Sequence, residues 1–264
     1  MCRLVGWVSD RPLSLVQALG ETGLADLIRL SHQHADGWGF AWWQDGALHA
    51  KRSPLPAHAS ADFSAAAHEV RSDAAIVHLR WATAGLPVSP ENTHPFVSGE
   101  WAFGHNGTIR PADGLLDLLP DGTVLGGTTD SERLFHLLLA HTARQGQGQG
   151  IRRTIADVCH QLTPTSLNSL LLGPSSLTAL CVHGAPWGTT GSFEDDPGYY
   201  DLRWRSSEGA VVVASEPLGG GAWQSVENGT ALVVRRGELA PRVLEVGQFS
   251  PAAVERERVR RESA

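Results

Sequence analysis

Met1-Cys2-Arg3-Leu4-Val5-Gly6-Trp7-Val8 opens the chain. Leu4 to Val8 is a short apolar run and predicts a strand at the very N-terminus. No basic segment precedes a long apolar one, so the opening is not a secretory signal. A cysteine directly after the initiator methionine has a chemical consequence. Methionine removal is efficient when the second residue is small, so the mature chain is expected to begin at Cys2. Its α-amine, with an ordinary pKa of about 7.7–8.0, then lies beside its own thiol and is suited to act as a base. Nucleophile and base come from one residue, as in enzymes that use an N-terminal threonine. The bland alternative is a small hydrophobe that suits a strand start.

Outward from this strand, Leu13 to Leu30 carries helical periodicity interrupted near Gly20 and Gly23. Trp38 to Trp43 and Ala47 to Lys51 predict a hairpin around Asp45-Gly46. Phe63 to Val70 predicts a short helix, and Ala75 to Arg80 and Trp101 to His105 predict strands. Two helices are expected at Asp130 to Ala143 and Ile151 to Leu162, joined by a flexible run from Gln145 to Gly150. The last third turns to short strands at 169–172, 178–182, 200–205, 210–215 and 230–235. Strands, a helix pair and strands again suggest an α+β layered fold rather than alternating βαβ units. A single domain over residues 2–250 is expected, followed by a charged tail at 251–264 that is either a helix end or a disordered terminus.

Composition narrows the function. The 264 residues are 42% hydrophobic and 19% charged, which suits a globular protein with a sizeable core. Their 21 basic and 28 acidic side chains leave a net charge of −7, which argues against a nucleic-acid partner. No stretch of 18 or more apolar residues is present to span a membrane. Cys2, Cys159 and Cys181 are too few for a disulfide scaffold, and a reducing cytoplasm is the simplest setting.

Three further segments bear on chemistry. His78-Leu79-Arg80-Trp81-Ala82-Thr83 ends a strand at Arg80, whose planar fork matches a carboxylate but which would serve equally in a surface ion pair. Phe103-Gly104-His105-Asn106-Gly107 runs a strand into a turn dipeptide. Asn106 and Gly107 either close a hairpin or donate N–H groups to an oxyanion. In Thr128-Thr129-Asp130-Ser131-Glu132, Thr129 or Asp130 caps the following helix, or Asp130 binds a substrate ammonium and forms a clamp with Arg80. His32-Gln33-His34-Ala35-Asp36 matches no strong metal-binding spacing, and no metal or organic cofactor is expected.

Together with Asp36-Gly37-Trp38-Gly39 and Asn92-Thr93-His94-Pro95-Phe96, these segments in this order resemble the class II glutamine amidotransferases. The motif match covers about residues 2 to 135. Leu167 to Leu172 and Val211 to Pro217 extend it, more loosely, toward the stand-alone branch that includes γ-glutamyl-hercynylcysteine sulfoxide hydrolases. Cys2-Arg3-Leu4, where synthase-linked members have Cys-Gly-Ile, and Ala84-Gly85, where they have His-Gly, point the same way. The resemblance implies an αββα N-terminal-nucleophile sandwich of two stacked, mainly antiparallel sheets. It implies Cys2 as nucleophile, Asn106 and Gly107 as oxyanion hole, Arg80 as carboxylate ligand and Asp130 as amine ligand. Trp81, Thr83 and His94 fall in the matching substrate loops.

The expected activity is cleavage of a γ-glutamyl amide bond in a small molecule through a Cys2 thioester, releasing glutamate. One alternative is a glutaminase subunit that hands ammonia to a separate synthetase, since little chain remains after residue 217 for a synthase domain. Another is a catalytically silent binding relative, which a retained Met1 would favour. The leaving amine is not legible. Trp187, Tyr199, Tyr200 and Trp204 are candidates to line its side of the pocket or to belong to the core.

Overall fold

Alternation along the first strand, β1 (Arg3–Leu13), builds two layers at once. Val5 and Trp7 enter one apolar cluster while Leu4 and Val8 enter another, as side chains of period two must. The computed structural model describes residues 2–83, 85–184, 198–207 and 209–249. The charged tail and Trp187 lie outside them.

β1 is central in a seven-stranded sheet. Its other strands are β2 (Trp38–Gln44), β3 (Ala47–Ser53), β4 (Ser72–Leu79), β11 (Leu202–Ser207), β12 (Ala210–Ala214) and β13 (Gln224–Val226), in the order β13-β11-β12-β1-β4-β2-β3. A second sheet has six strands: β5 (Phe96–Ser98), β6 (Trp101–Asn106), β9 (Asn168–Leu172), β10 (Ser176–Cys181), β14 (Thr230–Arg235) and β15 (Glu238–Glu245). Its order is β15-β14-β10-β9-β6-β5. A short pair, β7 (Ile109–Arg110) with β8 (Thr163–Pro164), stands apart. The pairings in both sheets are antiparallel.

Helices α1 (Leu15–Leu19), α2 (Glu21–Leu30) and α3 (Ala61–Glu69) cover the outer face of the first sheet, where Leu27 and Phe63 meet Trp7 and Trp38. Helices α4 (Asp130–Gln145) and α5 (Gln147–Gln161) cover the second, where Phe135 stacks on Phe103 at 5.2 Å. Leu4, Ile76, Leu170, Val213 and Leu232 fill the space between the sheets. The order of layers is therefore αββα, as the resemblance implied. Strands such as Val211-Val212-Val213 are apolar on both sides because both faces of each sheet are covered.

Two local expectations need correction. The first helical stretch breaks once, at Gly20 (φ 78°), and Gly23 continues α2. The run from Gln145 to Gly150 is not a flexible linker. Only Gly146 (φ 79°) interrupts the helices, capping α4 through its N–H on Thr142 and starting α5. Packing of α5 against α4 overrides the weak helix propensity of Gly148 and Gly150.

Candidate active site

The register of β1 with β4 sets Arg3 against Leu79, so the chain leaves β4 at Arg80 beside Cys2. The Trp81 N–H points at the Cys2 sulfur at 3.4 Å, and the thiol faces the Trp81 carbonyl at 3.6 Å. Asp36 pins this loop: its carboxylate accepts from the Ala82 N–H at 2.7 Å, and its own N–H donates to the Arg80 carbonyl at 3.0 Å. Burial pushes the Cys2 thiol above its ordinary pKa, opposed by the Trp81 N–H and the charges of Arg80 and Arg3. A thiol so placed rests protonated and needs a base.

Arg80 and Asp130 are a buried cation and a buried anion, 2% and 5% exposed. Among the described residues the Arg80 guanidinium donates to two carbonyls, those of Pro87 at 3.1 Å and Asp36 at 3.5 Å, and feels the Asp36 charge nearby. Asp130 opens α4, where Thr129 is the N-cap and accepts from the Glu132 N–H. Its carboxylate accepts from the N–H groups of Ile109 (2.7 Å) and Ser131 (2.8 Å). Among the described residues neither charge has an ion-pair partner. Both line one cleft with Cys2, Trp81, Thr83, His94 and Gly107, enclosing about 30 Å³. A buried charge left without its opposite is costly, and the cleft holds one of each sign.

Asn106 ends β6, buried, with neither its amide nitrogen nor its amide oxygen hydrogen-bonded. Gly107 follows where the backbone presses on Ser166: a β-carbon there would lie 2.0 Å from the Ser166 carbonyl oxygen. Only glycine allows this approach. His105 fixes the same corner. Its Nε2 must donate to the Ser166 carbonyl at 3.0 Å, which leaves Nδ1 to accept from the Ser131 hydroxyl at 2.9 Å.

Three imidazoles cluster at the cleft, His94 and His105 in its lining and His78 packed against His94. His78 donates from Nε2 to the His105 carbonyl and stacks on His94 at 4.1 Å. Burial lowers the pKa of all three, His78 to about 3 and His94 well below its usual value. They are neutral packing and hydrogen-bonding groups at working pH.

The structure thus gathers Cys2, Arg80, Trp81, Thr83, His94, Gly107 and Asp130 into one cleft and sets Asn106 at the end of the strand leading to Gly107. The turn reading of Asn106-Gly107 does not hold as a hairpin, because β6 pairs with β9 and β5 instead. Sequence reasoning assigned no task to His105, Ser131 or Ser166. His105 and Ser131 lie inside quoted motifs, but Ser166 acts through its carbonyl, which any residue carries. His32 and His34 separate: His32 stacks on His58 at 3.8 Å, and His34 packs edge-on to Trp81 at 5.6 Å.

Residues 1–257 match the family described as class-II glutamine amidotransferases. Over 226 residues the chain is 32% identical to the γ-glutamyl-hercynylcysteine sulfoxide hydrolase of Mycobacterium tuberculosis (strain ATCC 25618 / H37Rv), covering 82% of this chain and 85% of that protein. Among solved structures, a glutamine aminotransferase class-II domain protein from Silicibacter pomeroyi superposes with a TM-score of 0.64 at 20% identity, covering 92% of this chain and 99% of that one. The glutamine phosphoribosylpyrophosphate amidotransferase of B. subtilis superposes with a TM-score of 0.65 at 21% identity, covering 95% of this chain but 50% of that one. These two structures share its fold.

Proposed function

The chain belongs to the class-II glutamine amidotransferases, amidohydrolases with an N-terminal cysteine, and on that premise we propose that Cys2 cleaves the γ-amide of a γ-glutamyl metabolite. The observation that carries this reading is the pair of buried charges with no ion-pair partner among the described residues: Arg80 takes the α-carboxylate of the glutamyl group and Asp130 its α-ammonium. That fixes the γ-carbonyl at the Cys2 end of the cleft.

Removal of Met1 frees the Cys2 amine, which takes the thiol proton. A C–S bond forms and the carbonyl electron pair moves to oxygen. The Asn106 side-chain N–H and the Gly107 backbone N–H receive this oxyanion, each worth about 3–4 kcal/mol in the transition state. The C–N bond breaks as the ammonium returns its proton to the leaving nitrogen. Water, deprotonated by the same amine, then opens the thioester, releases glutamate and restores the thiol. Trp81 and Thr83 border the substrate from the loop, and neutral His94 floors it. Three cysteines, too few for a disulfide scaffold, support a reducing, cytoplasmic setting.

The name of the Mycobacterium tuberculosis relative supports a γ-glutamyl metabolite as substrate. A second reading, ammonia delivery to a separate synthetase, draws on the B. subtilis protein, in which the matched region is half of a longer chain. Assay of the mature protein separates them: glutamate release from γ-glutamyl compounds without a partner favours the first, and release from glutamine only in a partner's presence favours the second. Cys2→Ala is expected to abolish glutamate release while leaving the melting temperature near wild type. Activity near wild type in that variant would sink the mechanism.

A further inference from the structure

A second cavity, of about 240 Å³, opens at Arg3, the residue that follows the nucleophile in sequence. Arg3, Gln33, Tyr199, Arg203, Ser215 and Glu216 line it. Arg3 ties it to the reaction centre, because its Nη1 donates to the Cys2 carbonyl at 3.2 Å. Gln33 ties it to the loop over Cys2, since the next residue, His34, packs against Trp81. Two ion pairs shape the cavity: Arg3 to Glu216 at 2.9 Å, and Arg203 to Asp201 at 2.6 Å. The Arg3 guanidinium also lies over the Tyr199 ring, 5.5 Å from its centroid.

These pairs leave donors unused. A guanidinium offers five N–H groups. Among the described residues Arg203 spends only its Nη2, on Asp201, and Arg3 spends Nε and Nη1. Arg203 therefore keeps N–H groups on Nε and Nη1, on opposite sides of its plane's axis, each able to donate singly to a carboxylate.

Direction follows from the reading of Arg80 and Asp130 given above, on which this inference rests. With the α-end of the glutamyl group held there and the γ-carbonyl at Cys2, the leaving amine projects beyond Cys2. We propose that the Arg3–Arg203 cavity is the leaving-group subsite, and that it takes an amine carrying a carboxylate remote from its nitrogen. Remoteness comes from the register. Arg203 pairs with Ala214, which pairs with Val5, so Arg203 stands two strands from β1 and three residues along from Cys2. Two strand spacings are about 10 Å, too far for a carboxylate on the carbon next to the scissile nitrogen. A dipeptide-sized leaving amine, about 7 Å when extended, covers most of it and the Arg203 side chain that lines the cavity reaches back over the rest, whereas ammonia leaves the cavity empty.

The test compares three substrates with the mature full-length enzyme: γ-glutamyl-alanyl-glycine, its C-terminal carboxamide, and glutamine. The free acid is expected to exceed the carboxamide in kcat/KM by about 10- to 100-fold, the range of a charge-assisted hydrogen bond. Arg203→Gln removes that preference and leaves glutamine hydrolysis unchanged, while Arg203→Lys retains part of it. Equal rates for acid and carboxamide, or an Arg203→Gln loss that is the same for glutamine, would overturn the subsite while leaving the Cys2 mechanism standing. Failure to cleave any of the three would overturn the Cys2 reading and this inference with it.

Discussion

Asn106 is the side chain whose isolation says most. An amide buried with no partner on nitrogen or oxygen forfeits about 1–3 kcal/mol of hydration for each unsatisfied group. A hydrogen bond that forms only when charge develops on a substrate oxygen would recover part of that. Asn106→Ala is therefore expected to lower kcat by about 100- to 1,000-fold, with KM for a γ-glutamyl substrate little changed. Stopped assays of glutamate release measure both. A loss confined to KM would assign Asn106 to ground-state binding instead. Arg80 and Asp130 make a parallel case under the proposed function, since neither has an ion-pair partner among the described residues and a bound zwitterion would supply both.

Elements hold these residues by close backbone contact as much as by side chains. The end of β6 meets the stretch between β8 and β9 at Gly107, where the Ser166 carbonyl fills the place a β-carbon would need. Gly107→Ala must move one strand end or the other. It is expected to reduce activity by more than about 100-fold and stability by about 1–3 kcal/mol, read from kcat and from urea unfolding. An alanine variant with wild-type activity would show that the corner yields without disturbing the donors. This contact marks the limit of what sequence conveys. That Cys2, Arg80, Gly107 and Asp130 belong to one cleft was legible because these residue types recur in ordered motifs. The Ser166 carbonyl was not, because a backbone acceptor has no residue signature. Element boundaries followed the same division. The apolar strands β1, β4, β6, β9, β10, β12 and β14 announce themselves because both faces are covered. β15 (Glu238–Glu245) lies at a sheet edge with mostly half-exposed or exposed side chains and Pro241 within it. Proline is tolerated there because an edge strand need not donate on its open side, and the pattern in sequence is correspondingly weak. β13 (Gln224–Val226), at the other sheet's edge, was missed for the same reason.

At the scale of the whole molecule, two sheets and their helices enclose three imidazoles that must stay neutral. His78, His94 and His105 all have pKa values lowered by burial, His78 to about 3. In the unfolded chain each titrates near 6.5. Below that pH the unfolded state binds protons that the folded state refuses, so stability falls as pH drops. It is full above about pH 7 and declines as pH falls, for His78 down to about pH 3, by up to about 1.4 kcal/mol per unit for an imidazole that stays neutral. Urea midpoints at pH 7.5 and 5.0 measure this, and equal midpoints would show the histidines to be accessible to protons in the folded protein. The same enclosure separates the cysteines. Cys159 and Cys181 are buried, and burial pushes the Cys181 thiol to about 12, whereas Cys2 alone of the three borders the cleft. The direct measurement is intact-protein and peptide mass after treatment with a glutamine-mimicking diazoketone. The account predicts a mature chain beginning at Cys2, one adduct located on Cys2, protection by excess glutamate, and no adduct on Cys2→Ala. A retained Met1, or an adduct on Cys159 or Cys181 with Cys2 unmodified, would contradict it.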